Sequence, residues 1–190
     1  MKKEKSAFAV LFCIFGLWSS VVGLSLSGCG YTTKSLLPAH IKTLYIANFK
    51  NAINITEETS DKRPYRLYKP ALENKLTRAV VDRFILDGNL KIVKDKDIAD
   101  AVLTGELTEY VREPLRYDDN QEVTEFRVRI TAAVRFIDQS DKKKLWQEGG
   151  LVGESSQRTE GTLAKSEDAA VTEAVDDLSR RIVEKTIEVW

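Results

Sequence analysis

Between Phe126 and Phe136 every second position is apolar. Phe126, Val128, Ile130, Ala132, Val134 and Phe136 alternate with Arg127, Arg129, Thr131, Ala133 and Arg135. A period of two marks a strand with one face on a core, and here it predicts that the other face is strongly basic. From Ala101 to Arg112 the odd positions Ala101, Leu103, Gly105, Leu107 and Val111 are apolar, and only Glu109 interrupts them. Thr104, Glu106, Thr108 and Arg112 fall on the even positions, which predicts a second long strand. Ile41 to Phe49, rich in β-branched and aromatic residues, reads as a first strand, and Leu90 to Val93 as a short one. Lys144 to Glu154, with Leu145, Trp146, Leu151 and Val152, reads as the last. Polar connections separate them: a long loop from Lys50 to Arg66, a turn region from Pro114 to Val123, and a loop from Gly153 to Ala164.

Two segments repeat at three and four instead. In Tyr68 to Leu86, Leu72, Leu76, Ala79, Val80 and Phe84 make one apolar stripe. Pro70 is expected in the first turn of this helix, and Asp87-Gly88-Asn89 stops it. Ser166-Glu167-Asp168 opens the second helix with a capping hydroxyl and an acidic first turn. Its stripe is Val171, Ala174, Val175, Leu178, Ile182 and Val189. The order strand, helix, four strands, helix predicts an α+β fold: a two-layer sandwich with both helices on one face of a mixed four- to five-stranded sheet. The first strand–helix–strand unit should pair in parallel through a right-handed crossover, and the later strands should form an antiparallel meander.

The first 28 residues have a different grammar. Lys2, Lys3 and Lys5 precede an apolar run from Ala7 to Leu26, and small residues then crowd around Cys29. This is the layout of an export signal. A retained membrane span would need a purer run, since Gly16, Ser19, Ser20 and Gly23 dilute this one. Ordinary cleavage after Ser25-Leu26-Ser27 would strand Cys29 as a lone thiol. Leu26-Ser27-Gly28-Cys29 resembles, at all four positions, the lipobox of bacterial lipoproteins, in which the cysteine becomes the acylated first residue. The expectation is therefore a signal over 1–28, a lipidated tether over 29–40 anchored to the membrane at Cys29, and a single domain over 41–190. By resemblance to known sorting rules, Gly30 after the cysteine favours the outer membrane.

Charge and composition close several routes. The 190 residues carry 29 basic and 29 acidic side chains, and without the signal's three lysines and one glutamate the acidic groups lead by two. Nothing global favours nucleic acid as a partner. No cysteine follows Cys29 and His40 is the sole histidine, so no disulfide, thiolate metal site or imidazole-based catalysis is expected. Gly149-Gly150 and Gly153 lack the Lys and Ser/Thr of a phosphate loop. The acidic pairs (Glu57-Glu58, Asp118-Asp119, Asp176-Asp177) are adjacent and point apart on any regular element. No catalytic residue, metal ligand or cofactor is assigned, and His40 reads as an ordinary surface residue.

The arginine face remains. It is either a solvated sheet surface paired across strands to Glu106 or Glu109, or a surface for anionic phosphates or carboxylates, which suit the forked donors of arginine. Arg112 and Arg116 lie near enough in sequence to extend it, and Tyr110, Tyr117 and Phe126 lie close by.

Several short motifs occur in a fixed order. Gly28-Cys29-Gly30-Tyr31, Leu37-Pro38, Ile41-Lys42-Thr43 and Ala47-Asn48-Phe49-Lys50-Asn51 are followed by Leu72-Glu73-Asn74-Lys75-Leu76-Thr77, Ala99-Asp100-Ala101-Val102-Leu103-Thr104-Gly105-Glu106, Phe126-Arg127-Val128 and Leu145-Trp146. The series resembles the lipopolysaccharide-assembly lipoprotein family (LptE-like) over almost the whole segment after Cys29. The resemblance implies a two-helix, four-stranded α+β domain with no enzymatic activity. It implies a plug seated in the outer-membrane β-barrel (LptD-like) of the lipopolysaccharide translocon, and contact with lipopolysaccharide itself. Arg112, Arg116, Arg127 and Arg129 are the candidate lipopolysaccharide contacts, chosen on charge and placement. The competing reading is an envelope lipoprotein that activates a peptidoglycan synthase. Such proteins use longer tethers, whereas about ten residues here span at most ~35 Å. A periplasmic hydrolase lacks a base, nucleophile or ligand cluster.

Overall fold

The computed structural model describes residues 37–53 and 69–188. Six strands run in the order β1 (Thr43–Ile46), β2 (Lys50–Asn51), β3 (Lys91–Val93), β4 (Ala101–Tyr117), β5 (Val123–Asp138) and β6 (Lys144–Arg158). Helix α1 (Leu72–Asp87) lies between β2 and β3, and α2 (Glu167–Glu188) follows β6. The sheet order is β3-β1-β4-β5-β6, with the two-residue β2 paired beside β4. β1 pairs in parallel with both β3 and β4, whereas β4, β5 and β6 form an antiparallel meander. The predicted α+β class holds, with one short strand more than expected.

Each helix buries the stripe that its spacing predicts. Leu72, Leu76, Val80 and Phe84 of α1 are fully buried, as are Val171, Ala174, Leu178 and Ile182 of α2. Burial of each larger side chain among these is worth ~1.5–3 kcal/mol. They meet Leu103, Leu107, Val128, Ile130, Ala132, Val134 and Phe136 on one face of the sheet in a continuous core. Among the described residues the opposite face carries no helix. Ser166 caps α2, its Oγ accepting the Ala169 N–H at 3.2 Å. Above the edge strand β6, Asp177 of α2 accepts the Glu154 N–H at 3.1 Å, so one donor of the exposed edge is occupied.

Four boundaries differ from the sequence reading. Helix α1 begins at Leu72 because Ala71 takes the left-handed conformation (φ 61°), which leaves Pro70 ahead of the helix rather than in its first turn. Tyr68 and Val189 lie outside the described residues. β2 occupies the start of the expected loop, with Lys50 opposite Glu106. β4 runs past Pro114, where the missing N–H is tolerated because beyond Leu107 β4 has no second neighbour among the described residues. β6 continues through Arg158, so the loop expected from Gly153 starts only at Thr159.

The interruption at Glu109 has a physical cause. The β4–β5 register shifts between Leu107 and Glu109, a β-bulge that inserts one extra residue. Side-chain parity then reverses. Leu103 and Leu107 point to the helices below the bulge, and Tyr110 does so above it, while Glu109 turns to the open face. β6 has a matching shift at Gly149-Gly150, after which Leu151 and Gly153 take the inward parity that Trp146 holds before it.

Candidate functional site

The open face above the bulge is built by three strands in register. Val111, Glu113 and Arg116 come from β4, Arg129, Arg127 and Glu125 from β5, and Glu154, Ser156 and Arg158 from β6. Arg129 stands at the centre. Its Nη2 donates to Glu113 Oε1 at 2.6 Å, and its Nε lies 3.3 Å from Glu154 Oε1. Arg127 Nη1 approaches the same Glu113 oxygen at 3.7 Å. Further up, buried Glu125 lies between Arg116 at 3.7 Å and Arg158 at 3.9 Å. The result is a ladder of four arginines and three glutamates across three strands. In each pair the arginine is at least partly exposed and the contact is individually weak; their number sets the pattern.

Three of the four predicted residues therefore meet on one face: Arg116, Arg127 and Arg129. Arg112 does not join them. An unbroken alternation would place it beside them, but the bulge turns it to the helix side. There its Nε donates to Gln157 Oε1 at 2.9 Å, and its guanidinium stacks 3.5 Å from the Phe126 ring centroid. Glu167 of α2 lies 3.8 Å from it, and Tyr110 donates to Glu167 at 2.9 Å. Arg112 thus belongs to the joint between β4 and α2. Arg158 is the ladder member that sequence reasoning missed, because β6 was taken to end at Glu154 and the run Ser155-Ser156-Gln157-Arg158 has no apolar alternation to extend it.

A second polar site forms just ahead of β1. His40 Nε2 lies 2.5 Å from Asp138 Oδ2, and Asp138 also accepts the N–H and Oγ–H of Ser140. Burial pushes the Asp138 carboxyl up, but the bonds from Ser140 and His40 outweigh it and hold the group below the usual carboxylate range. Asp100 accepts the Lys42 N–H, the Thr43 N–H and the Thr43 hydroxyl at 3.0, 2.8 and 2.8 Å, and these bonds keep its carboxyl low as well. His40 is exposed, as expected of a surface residue, and it also closes on a buried carboxylate. Leu37, just before it, packs against the core.

Among the described residues no group of His, Cys, Asp or Glu is arranged to hold a metal ion, and no helix is long and apolar enough to cross a membrane. The described site is a charged sheet face, covered by no helix among the described residues, on a two-layer α+β domain. The lipopolysaccharide-assembly family model (LptE) matches residues 41–186, and the chain belongs to that family. No curated protein matches the sequence. Among solved structures, the hypothetical protein CT253 from Chlamydia trachomatis is similar at 15% identity and a TM-score of 0.47, over 77% of this chain and 95% of that one. The rare lipoprotein B from Shewanella oneidensis is similar at 16% identity and 0.46, over 76% and 93%. PelC from Paraburkholderia phytofirmans is similar at 11% identity and 0.45, over 78% and 93%.

Proposed function

We propose that this chain is an outer-membrane lipoprotein, acylated at Cys29 and without enzymatic activity. It plugs and supports assembly of an LptD-like β-barrel that translocates lipopolysaccharide, and it helps to deliver lipopolysaccharide to the outer leaflet. Membership of the lipopolysaccharide-assembly family over residues 41–186 is the observation that carries this reading. The sequence of the lipobox supports the anchor. The open sheet face supports the contact role, because its arginines and glutamates offer a barrel wall or a phosphorylated glycolipid a surface of paired charges to exchange with. Arg116, Arg127 and Arg129 are the candidates on that face. Arg112, engaged at the joint with α2, would contact lipopolysaccharide only by leaving Gln157 and Phe126.

The test is an affinity pull-down of the tagged full-length lipoprotein from detergent-solubilised outer membranes. Recovery of one large β-barrel protein in a stable complex is expected. Recovery of a peptidoglycan synthase instead, or of no partner, would overturn the plug reading.

A further inference from the structure

Three large apolar side chains stand exposed at one end of the domain. Ile85 and Leu86, in the last turn of α1, are 62% and 78% exposed, and Ile98, between β3 and β4, is 67% exposed. The backbone brings these positions to the same end. Gly88 takes the left-handed conformation (φ 77°) and stops α1 just ahead of β3, so the last turn of α1 is level with the start of that strand. The Lys91 N–H donates to the Lys42 carbonyl at 2.9 Å, and Asp100 accepts from Lys42 and Thr43. Gln139 Nε2 donates to the Lys96 carbonyl at 3.3 Å. The approach to β1, the end of α1 and the β3–β4 connection are thus tied together. A single exposed apolar side chain needs no explanation, but several at one end do.

The chain enters the domain at this end. Leu37 packs against the core, and the Ile41 N–H donates to the Pro38 carbonyl at 3.0 Å, so the segment ahead of β1 is fixed. Cys29 stands eight residues before Leu37, and eight residues reach at most ~28 Å. An acyl chain on Cys29 therefore keeps this end near the bilayer surface. The far end is out of that reach, since the 17 residues of β4 span about 55 Å at ~3.3 Å each. Leu115 and Tyr117, towards that far end, are also less exposed, at 44% and 54%.

Charge narrows what the near end would meet. Lys91, Lys94 and Lys96 stand exposed among the three apolar residues, and Asp87, Asp95 and Asp97, exposed as well, offset them. With the charges balanced, the apolar side chains set the preference, and it is for a hydrocarbon boundary rather than for an ion. We infer that this end of the domain docks on the bilayer that holds the anchor, with Ile85, Leu86 and Ile98 entering the boundary between headgroups and acyl chains. Three side chains suffice because the anchor keeps the bilayer at a high local concentration. The inference rests on the reading of Cys29 as the acylated residue, and on neither the barrel nor lipopolysaccharide.

The experiment reconstitutes acylated full-length protein into vesicles of phosphatidylethanolamine and phosphatidylglycerol that carry a nitroxide-labelled lipid. With Cys29 acylated and Cys13 gone with the signal, one added cysteine takes a fluorescent label. Lys96→Cys reports the near end, and Asp119→Cys reports the turn between β4 and β5. The label at 96 should be quenched by the nitroxide lipid and shielded from aqueous iodide, and the label at 119 should show neither effect. Ile85→Ser/Leu86→Ser/Ile98→Ser should lower the ratio of docked to free label at 96 about tenfold, as three apolar side chains lose their transfer into lipid. All three positions are exposed, so this variant should keep the wild-type thermal midpoint. High salt should leave the quenching in place, since it screens charge alone. Equal lipid quenching at 96 and 119 in protein that floats with the vesicles would overturn the docking and leave the anchor standing. Quenching at 96 that survives the triple substitution, or that salt abolishes, would overturn the apolar contact. A label at 96 shielded from iodide but unquenched by lipid would give this end to a protein partner and overturn the bilayer as occupant. Protein that carries no acyl chain and does not float would sink the anchor, and the docking with it.

Discussion

The hydroxyl of Tyr110 donates to Glu167 Oε1 at 2.9 Å, which ties the strand just above the β4 bulge to the first turn of α2. Tyr110 is 1% exposed, so its hydroxyl has no water to turn to if the carboxylate is lost. Burial first, and the neighbouring carboxylate second, hold its phenol well above the ordinary range. Glu167 also meets Lys69 at 3.4 Å and Arg112 at 3.8 Å, so a single carboxylate joins the approach to α1, the middle of the sheet and α2. Tyr110→Phe keeps the ring and deletes the bond. It should cost about 1–2 kcal/mol, read as a lower urea midpoint with unchanged slope. Tyr110→Ala should cost about 3–5 kcal/mol, because it also opens a cavity. A phenylalanine variant as stable as wild type would show that the joint contributes nothing.

The same bulge explains what the sequence disclosed and what it hid. The stripe Leu72, Leu76, Val80 and Phe84 was legible because a helix has one period from end to end, and the alternation around Ile130 because β5 faces the core without a break. Parity in β4 was legible only as far as Leu107. An inserted residue leaves no mark in composition, so Glu109 looked like an exception and Arg112 looked like a neighbour of Arg127 and Arg129. The arginine face was visible as a basic stripe, but its partners Glu113 and Glu154 depend on register, which one strand alone does not specify. His40 and Asp138 are 98 positions apart, and nothing local in either segment announces that they meet.

Helix α2 lies unusually close to β6 at Gly153. A Cβ placed there would sit 2.2 Å from the Ala174 carbonyl oxygen and 2.5 Å from Leu178 Cβ. The first contact is backbone, which cannot swing aside as a flexible side chain can. Gly153→Ala must therefore push α2 away from the sheet, and it should cost about 1–3 kcal/mol as an overpacked core position. Gly149→Ala and Gly150→Ala, with open space at the added atom, should each stay within about 0.5 kcal/mol. Thermal unfolding of the three variants side by side checks this. Equal midpoints for Gly153→Ala and Gly150→Ala would mean that the helix does not rest on the glycine.

The carboxylates that hold the segment ahead of β1 give the domain a directional response to acid. The hydrogen bonds to Asp100, and those to Asp138 against its burial, leave both groups with folded values below the ordinary 3.8. A depressed carboxyl contributes stability that is fully present above the unfolded value and is lost as pH falls through the folded one. The contribution of this pair should thus be constant between about pH 5 and 8 and should vanish as pH drops below about 4. Asp138→Asn removes the carboxylate that accepts from Ser140 and meets His40. It should be less stable than wild type at neutral pH and should converge with it in acid. Urea midpoints for the two proteins measured from pH 7 down to 3 decide the matter; parallel curves over that range would show that Asp138 is not a source of the acid response.

The proposed anchor turns on one atom. A single acyl chain holds a protein to a bilayer only marginally, whereas several chains, each contributing ~0.8 kcal/mol per buried CH₂, hold it for as long as the membrane lasts. Cys29 is the one cysteine outside the apolar run that contains Cys13, so the sulfur that would receive the lipid is unambiguous. Wild type expressed in cells should incorporate labelled palmitate and stay in the membrane fraction through a high-salt wash, since salt screens charges and leaves acyl burial intact. Cys29→Ser should incorporate no palmitate, and any processed protein should appear in the soluble periplasmic fraction. Cys13→Ser should behave as wild type, because the signal needs that position only to be apolar or small. Palmitate retained by Cys29→Ser would move the attachment elsewhere and leave the lipobox without a role. Wild-type protein released by salt alone would mean that the domain is held to the envelope by charge, and the arginine ladder would then have to be re-read as its membrane contact.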